Sequence, residues 1–152
     1  MPGRYFEDWK IGDSIRHDLK RTVTEADNLN ICTMTHNPQP LHLDKEYASK
    51  TEFGQIVVNG IFTFGLMVGV SVADTTLGTL VANLGYDKVI MPNPVFIGDT
   101  LSIATEVTDL RTSKSRPNAG IVTFTHRAFK QDGKLVCQCL RTALVEKQVK
   151  SI

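Results

Sequence analysis

The spacing of apolar and polar positions changes period several times along this chain. Tyr5 to Trp9, followed by Ile11-Gly12-Asp13, reads as an aromatic lead-in and a turn, and Ser14 to Thr22 as a polar-faced strand. A helical period follows. Thr24 with Asp27 three residues on forms an N-cap pattern, and Ala26, Leu29, Ile31 and Met34 give a partly apolar face up to His36. Pro38 and Pro40 cannot continue that helix and push the residues before them away from helical geometry, so residues 37–40 are expected as an extended loop leading to His42. Asp44 can cap a short helix through Ser49, and Phe53-Gly54 marks a further turn.

The run from Gly60 to Ala73 is apolar on nearly every side and carries three glycines that allow close backbone approach, which predicts a buried central helix. It falls short of the roughly 20 apolar residues a membrane span needs. Beyond Leu77 the period shortens to two. Strands are predicted over Thr79 to Met91, Thr100 to Thr112, Gly120 to Lys130 and Lys134 to Glu146, separated by Pro92-Asn93-Pro94, Ser115-Arg116-Pro117-Asn118 and Asp132-Gly133. One all-round apolar helix needs a sheet to wrap it, so the fold class is α+β, an antiparallel curved sheet around a central helix.

Composition narrows this picture without redirecting it. With 152 residues, 41% of them hydrophobic and 22% charged, the expectation is one globular domain over residues 1–152. Seventeen basic against sixteen acidic residues give a net charge of +1 and no field to draw nucleic acid or an anionic membrane. Met1 to Asp13 holds a lone Arg4 and no apolar leader core, so a cytoplasmic chain is expected. Cys32, Cys137 and Cys139 match no zinc-site spacing, and Cys137 and Cys139 fall on one sheet face; no metal and no bound cofactor is expected. Phosphate-binding loops, the serine-esterase elbow and the dinucleotide fingerprint are all absent, which argues against nucleotide hydrolysis, serine esterase and Rossmann redox chemistry.

Two segments in order resemble a known family. Val23-Thr24-Glu25 through His42 resembles the hydratase motif Asp-x-Asn-Pro-x-His of MaoC-like hydratases and dehydratases, and Pro94-Val95-Phe96-Ile97-Gly98-Asp99-Thr100-Leu101 resembles that family's strand entry after the central helix. The resemblance spans nearly the whole chain and implies the hot-dog fold, an acyl-CoA substrate and at least a homodimer. The chain departs from the pattern at the motif Asp, which is Asn37, at the motif Asn, which is Gln39, and at the family's His-Gly, which is Asn59-Gly60. Ser113-Lys114-Ser115-Arg116-Pro117-x-x-Gly120 looks like the subgroup that handles mesaconyl-CoA or itaconyl-CoA.

Hydrating an enoyl thioester needs an activated water, a proton for the α-carbon and donors for the enolate-like oxygen. Within the resemblance, His42 is the acid-base group, since a neutral imidazole can take a proton from water and return it. Asn37 cannot exchange protons at neutral pH; it either orients water or substrate beside His42 or is only a turn residue before Pro38. Gly60, at the helix start, is implied as the oxyanion donor, with Asn59 as a side-chain donor or simply the N-cap. Gln39 is a candidate substrate contact. Arg116 either pairs bidentately with a carboxylate of the acyl group or is a solvated turn residue. His36 and His126 are expected to be structural, and His17, in the polar strand, is given no role. The resulting expectation is an enoyl-CoA hydratase or dehydratase, with a thioesterase or a non-catalytic acyl-CoA-binding module as alternatives.

Overall fold

The computed structural model describes residues 3–149; Met1 and Pro2, the start of the segment read as lacking an apolar leader core, and residues 150–152 lie outside the described part. Its order is a 3-10 turn (Phe6–Asp8), β1 (Ser14–Arg16), β2 (Arg21–Thr22), α1 (Glu25–Met34), α2 (Pro40–Leu43), α3 (Lys45–Ser49), α4 (Gly60–Thr75), then β3 (Leu80–Ile90), β4 (Thr100–Thr112), β5 (Ala119–Phe129) and β6 (Leu135–Glu146). The sheet runs β1-β4-β5-β6-β3, all pairs antiparallel, with β2 also on β4. Each of the four long strands falls within a residue of its expected bounds. The turn at Asp132-Gly133 closes the β5–β6 hairpin, with Gly133 at φ 83° and Gly133 N–H donating to Lys130 O.

Strand alternation builds the core. Val122, Phe124, His126 and Ala128 of β5 and Cys137, Cys139, Arg141, Ala143 and Val145 of β6 are buried on one face. Helix α4 packs on that face against β4, β5 and β6, with Met67 and Val70 meeting Leu101, Ile103, Ala128 and both strand cysteines. Burying a side chain such as Met67 is worth about 1.5–3 kcal/mol.

Two expectations need correction. The strand expected over Ser14 to Thr22 is split at His17, which turns inward: its Nδ1 lies 2.6 Å from Asp74 and its Nε2 2.8 Å from Thr105 Oγ1. The central helix is also not buried all round. Thr63, Met67, Val70, Ser71 and Thr75 face the sheet, whereas Ile61 on the opposite side is 53% exposed and Gly65 and Gly69 have nothing beside them. One sheet covers only one side of a helix, so Gly65 and Gly69, two of the three glycines expected to mark close approach, instead lie open, and only Gly60 meets a close neighbour.

At the C-terminal end of α4 lies a buried polar layer. Thr105 Oγ1 bridges His17 to His126 Nδ1 at 2.8 Å, and Arg141, wholly buried, donates from Nε to Asn83 and from Nη2 to Thr76. Burial, then the charges of Arg141 and His17, pushes the His126 pKa down to about 3, so its ring is neutral.

Candidate active site

The motif loop is built by local chemistry. Helix α1 starts with a capping box, Thr24 Oγ1 accepting from Asp27 N–H and Asp27 accepting from Thr24 N–H. It ends as His36 adopts a left-handed φ of 53°. Asn37 then forms a turn, its Oδ1 accepting from Gln39 N–H at 3.0 Å. Pro40, expected at the end of the extended loop, instead opens α2 as its first residue, the position where a missing N–H costs nothing, so His42 sits on one short helical turn. Asp44 caps α3 through Tyr47 N–H, as expected.

Half-buried His42 is fixed by its ring: Nδ1 lies 2.6 Å from the Val57 carbonyl. A carbonyl only accepts, so Nδ1 carries the proton and Nε2 keeps a free lone pair. His42 and Val57 line one cavity of about 300 Å³, together with Gly60, Thr63, Asn93 and apolar walls from Phe53, Val58, Val95 and Val136. Asn59 caps α4, its Oδ1 accepting from Ile61 N–H at 3.0 Å, and its Nδ2 points at Cys32 Sγ, so its amide is spent inside the fold. Gly60 N–H, first on α4, finds no acceptor among the described residues, at the positive end of the helix dipole. A Cβ on Gly60 would strike Met91 Sδ.

The wall segment 94–99 is held by Asp99. Burial opposes its charge, but hydrogen bonds from Gln131 and Phe96 N–H and the ammonium of Lys130 outweigh that and hold its carboxyl below the usual range. These contacts clamp the segment, and Val58 N–H donates to Val95 O at 2.8 Å, both residues lining the cavity.

Of the residues singled out from sequence, His42 and Gly60 come together in this cavity. Asn37, Gln39 and Asn59 do not line it, although Asn59 starts the helix that does. Arg116 lines a separate, larger cavity of about 810 Å³ with Glu7, Glu146 and Lys147. That larger space holds no histidine and no helix N-terminus, so the smaller cavity carries the candidate chemistry. Two residues escaped the sequence reading. Asn28, 1% exposed, donates from Nδ2 to the His42 carbonyl at 2.8 Å and accepts at Oδ1 from Asn59 N–H at 2.9 Å, stapling the His42 turn to the head of α4. Thr63 is the other; each sits in a periodic helix with nothing in its neighbours to mark it.

A family model described as "MaoC like domain" matches residues 7–128. The chain belongs to this MaoC-like family. It is 32% identical over 146 residues to the mesaconyl-CoA hydratase of Cereibacter sphaeroides, covering 96% of this chain and 42% of that protein. The MaoC-like chain thus spans about two fifths of that relative's length. It is 30% identical over 130 residues to the (R)-specific enoyl-CoA hydratase of Aeromonas caviae, covering 83% of this chain and 87% of that one. Among solved structures, a Mycobacterium tuberculosis protein described as having a double hotdog fold matches with a TM-score of 0.88 at 21% identity, over 99% of this chain and 46% of that one. The helix-in-sheet architecture of this MaoC-like chain is therefore the hot-dog fold. No helix among the described residues is long and apolar enough to cross a membrane.

Proposed function

We propose that this protein reversibly adds water to an enoyl-CoA. The observation that carries the reading is a histidine whose Nδ1–H is pinned by Val57, leaving its Nε2 lone pair free, in the same cavity as the free N–H of Gly60. In the proposed step a water proton passes to His42 Nε2 as the water oxygen bonds the β-carbon. The π electrons move to the thioester oxygen, which Gly60 N–H holds with the dipole of α4 behind it. The imidazolium then returns the proton to the α-carbon, so one water is added in sum. Asn37 and Gln39 serve this step from outside the cavity, Asn37 by holding the turn that delivers Pro40 and His42, and Asn59 by capping the helix that presents Gly60.

The finer reading is a short branched or dicarboxylic acyl group, such as mesaconyl-CoA or itaconyl-CoA; the name of the Cereibacter relative supports it. The walls within one chain are mostly apolar, and no lysine or arginine lines them. A distal carboxylate therefore needs a charge from a second copy, and exposed Arg116 is our candidate for it. A homodimer is supported independently by β3, an edge strand that among the described residues pairs only with β6 and whose Val81, Leu84, Val89 and Ile90 are exposed.

The test is a panel of enoyl- and 3-hydroxyacyl-CoA esters with products separated by mass and free thiol measured in parallel. Gain or loss of one water without thiol release is the expected result. Thiol release would establish a thioesterase, and binding without turnover a non-catalytic module.

A further inference from the structure

We infer that Thr63 is the second anchor of the reacting water, in a role that a motif carboxylate would otherwise fill; the inference rests on the hydratase reading above. Thr63 lies one turn into α4 from Gly60, is 2% exposed, and lines the cavity shared with His42. Its Oγ1 is buried and has no hydrogen-bond partner among the described residues. A helical threonine or serine ordinarily returns its hydroxyl to a carbonyl one turn back. Ser71 and Thr75 of the same helix do so, donating to Val68 O at 2.7 Å and Ser71 O at 2.6 Å, as does Thr35 after α1, donating to Ile31 O at 2.6 Å. Thr63 alone of these three α4 hydroxyls leaves that bond unmade, on a residue that lines a cavity whose other walls are mostly apolar.

An unpaired hydroxyl in such a place destabilises the fold unless a bound molecule uses it. Water fits this need. One of its hydrogens goes to His42 Nε2 and the other to Thr63 Oγ1, which turns the oxygen lone pair toward the β-carbon. Only the hydrogen on His42 is transferred, so the proton balance of the hydration step is unchanged and Thr63 keeps its own proton. Because Asn37 spends its Oδ1 on Gln39 N–H and stands outside the cavity lining, Thr63 is left as the wall's polar side chain on the helix that presents Gly60.

The experiment compares wild type, Thr63→Val and Thr63→Ser, using the enoyl-CoA that wild type hydrates fastest, with kcat, KM and thermal melting measured on each. Thr63→Val is expected to lower kcat about 10- to 100-fold, the loss of one positioning hydrogen bond, with KM within about threefold. Its melting temperature should be unchanged or raised, because an unsatisfied buried hydroxyl is removed. Thr63→Ser, which keeps the hydroxyl, should restore most of kcat. Unchanged kcat in Thr63→Val, a loss confined to KM, or a clear fall in melting temperature would each overturn the assignment. Wild type inactive on every enoyl-CoA would instead remove the hydratase reading, and this inference with it.

Discussion

His42 Nδ1 and the Val57 carbonyl oxygen lie 2.6 Å apart, and that one contact decides which ring nitrogen can do chemistry. With Nδ1–H committed to the backbone, protons enter and leave through Nε2, and the ring cannot rotate without losing the bond. His42→Ala is expected to lower hydration by about 10²- to 10⁴-fold, the usual worth of a positioned acid-base group. Circular dichroism and melting should stay close to wild type, since His42 is only half-buried. Residual turnover near the wild-type rate would show that another group moves the proton.

Asn28 ties the two halves of the site together through both ends of its amide. Asn28→Leu keeps the bulk but orphans the His42 carbonyl and the Asn59 N–H, at a cost of about 2–4 kcal/mol for two buried groups. Asn28→Asp keeps the acceptor for Asn59 N–H but sets a carboxylate against the His42 carbonyl. Chemical denaturation should rank wild type above both variants. Turnover should fall further than unfolding explains, because the turn bearing His42 is released from α4.

Gly60 has no side chain where Met91 Sδ sits, and only a glycine leaves its N–H approachable beneath that thioether. Met91 is 43% exposed and flexible, so in Gly60→Ala it can swing aside at a stability cost of about 1 kcal/mol or less. The added methyl still crowds the path to the N–H. The expected outcome is a fall in kcat/KM of at least tenfold with little change in melting, and Gly60→Ala with Met91→Ala should recover stability but not turnover. Full activity in the single variant would remove Gly60 from the oxyanion role.

Acid stability gives an independent reading of the core. His126 titrates at about 3 in the fold against about 6.5 in the unfolded chain, so between those values the unfolded chain binds the extra proton. The stability this neutral ring contributes is present above pH 6.5 and is lost as pH falls from there toward 3, at up to about 1.4 kcal/mol per pH unit. Denaturant titrations between pH 7 and pH 4.5 should show that slope, and His126→Gln should flatten it. Equal slopes would mean that another group governs acid unfolding.

Much of the fold was legible because its signals are local. The four long strands announced themselves by period two and by turn residues such as Asp132-Gly133, and the caps at Thr24, Asp44 and Asn59 by spacing. The site was legible only where a residue type is rare and its neighbours are constrained: His42 after two prolines, Gly60 at a helix start. Asn28 was not, because its two bonds reach 14 and 31 residues along the chain. Thr63 was not, because its significance is a bond it does not make. Arg141 was not either, since an arginine in an alternating strand gives no hint that it lies wholly buried against Asn83 and Thr76.

Asn37 is the sharpest test of how far the motif pattern governs this chain. Its Oδ1 accepts from Gln39 N–H, an acceptor role that an aspartate fills equally well, so Asn37→Asp should fold with stability within about 0.5 kcal/mol of wild type. A carboxylate there does not enter the cavity lining that His42, Gly60 and Thr63 share. Hydration of crotonyl-CoA by Asn37→Asp is therefore expected to stay within about tenfold of wild type, below the 10²- to 10⁴-fold that a positioned acid-base group supplies. A gain beyond 10²-fold would mean that the turn rearranges to bring residue 37 against the reacting water, and it would return that position to direct chemistry. A small change, with Thr63→Val strongly impaired in the same assay, would place the control of the water on α4.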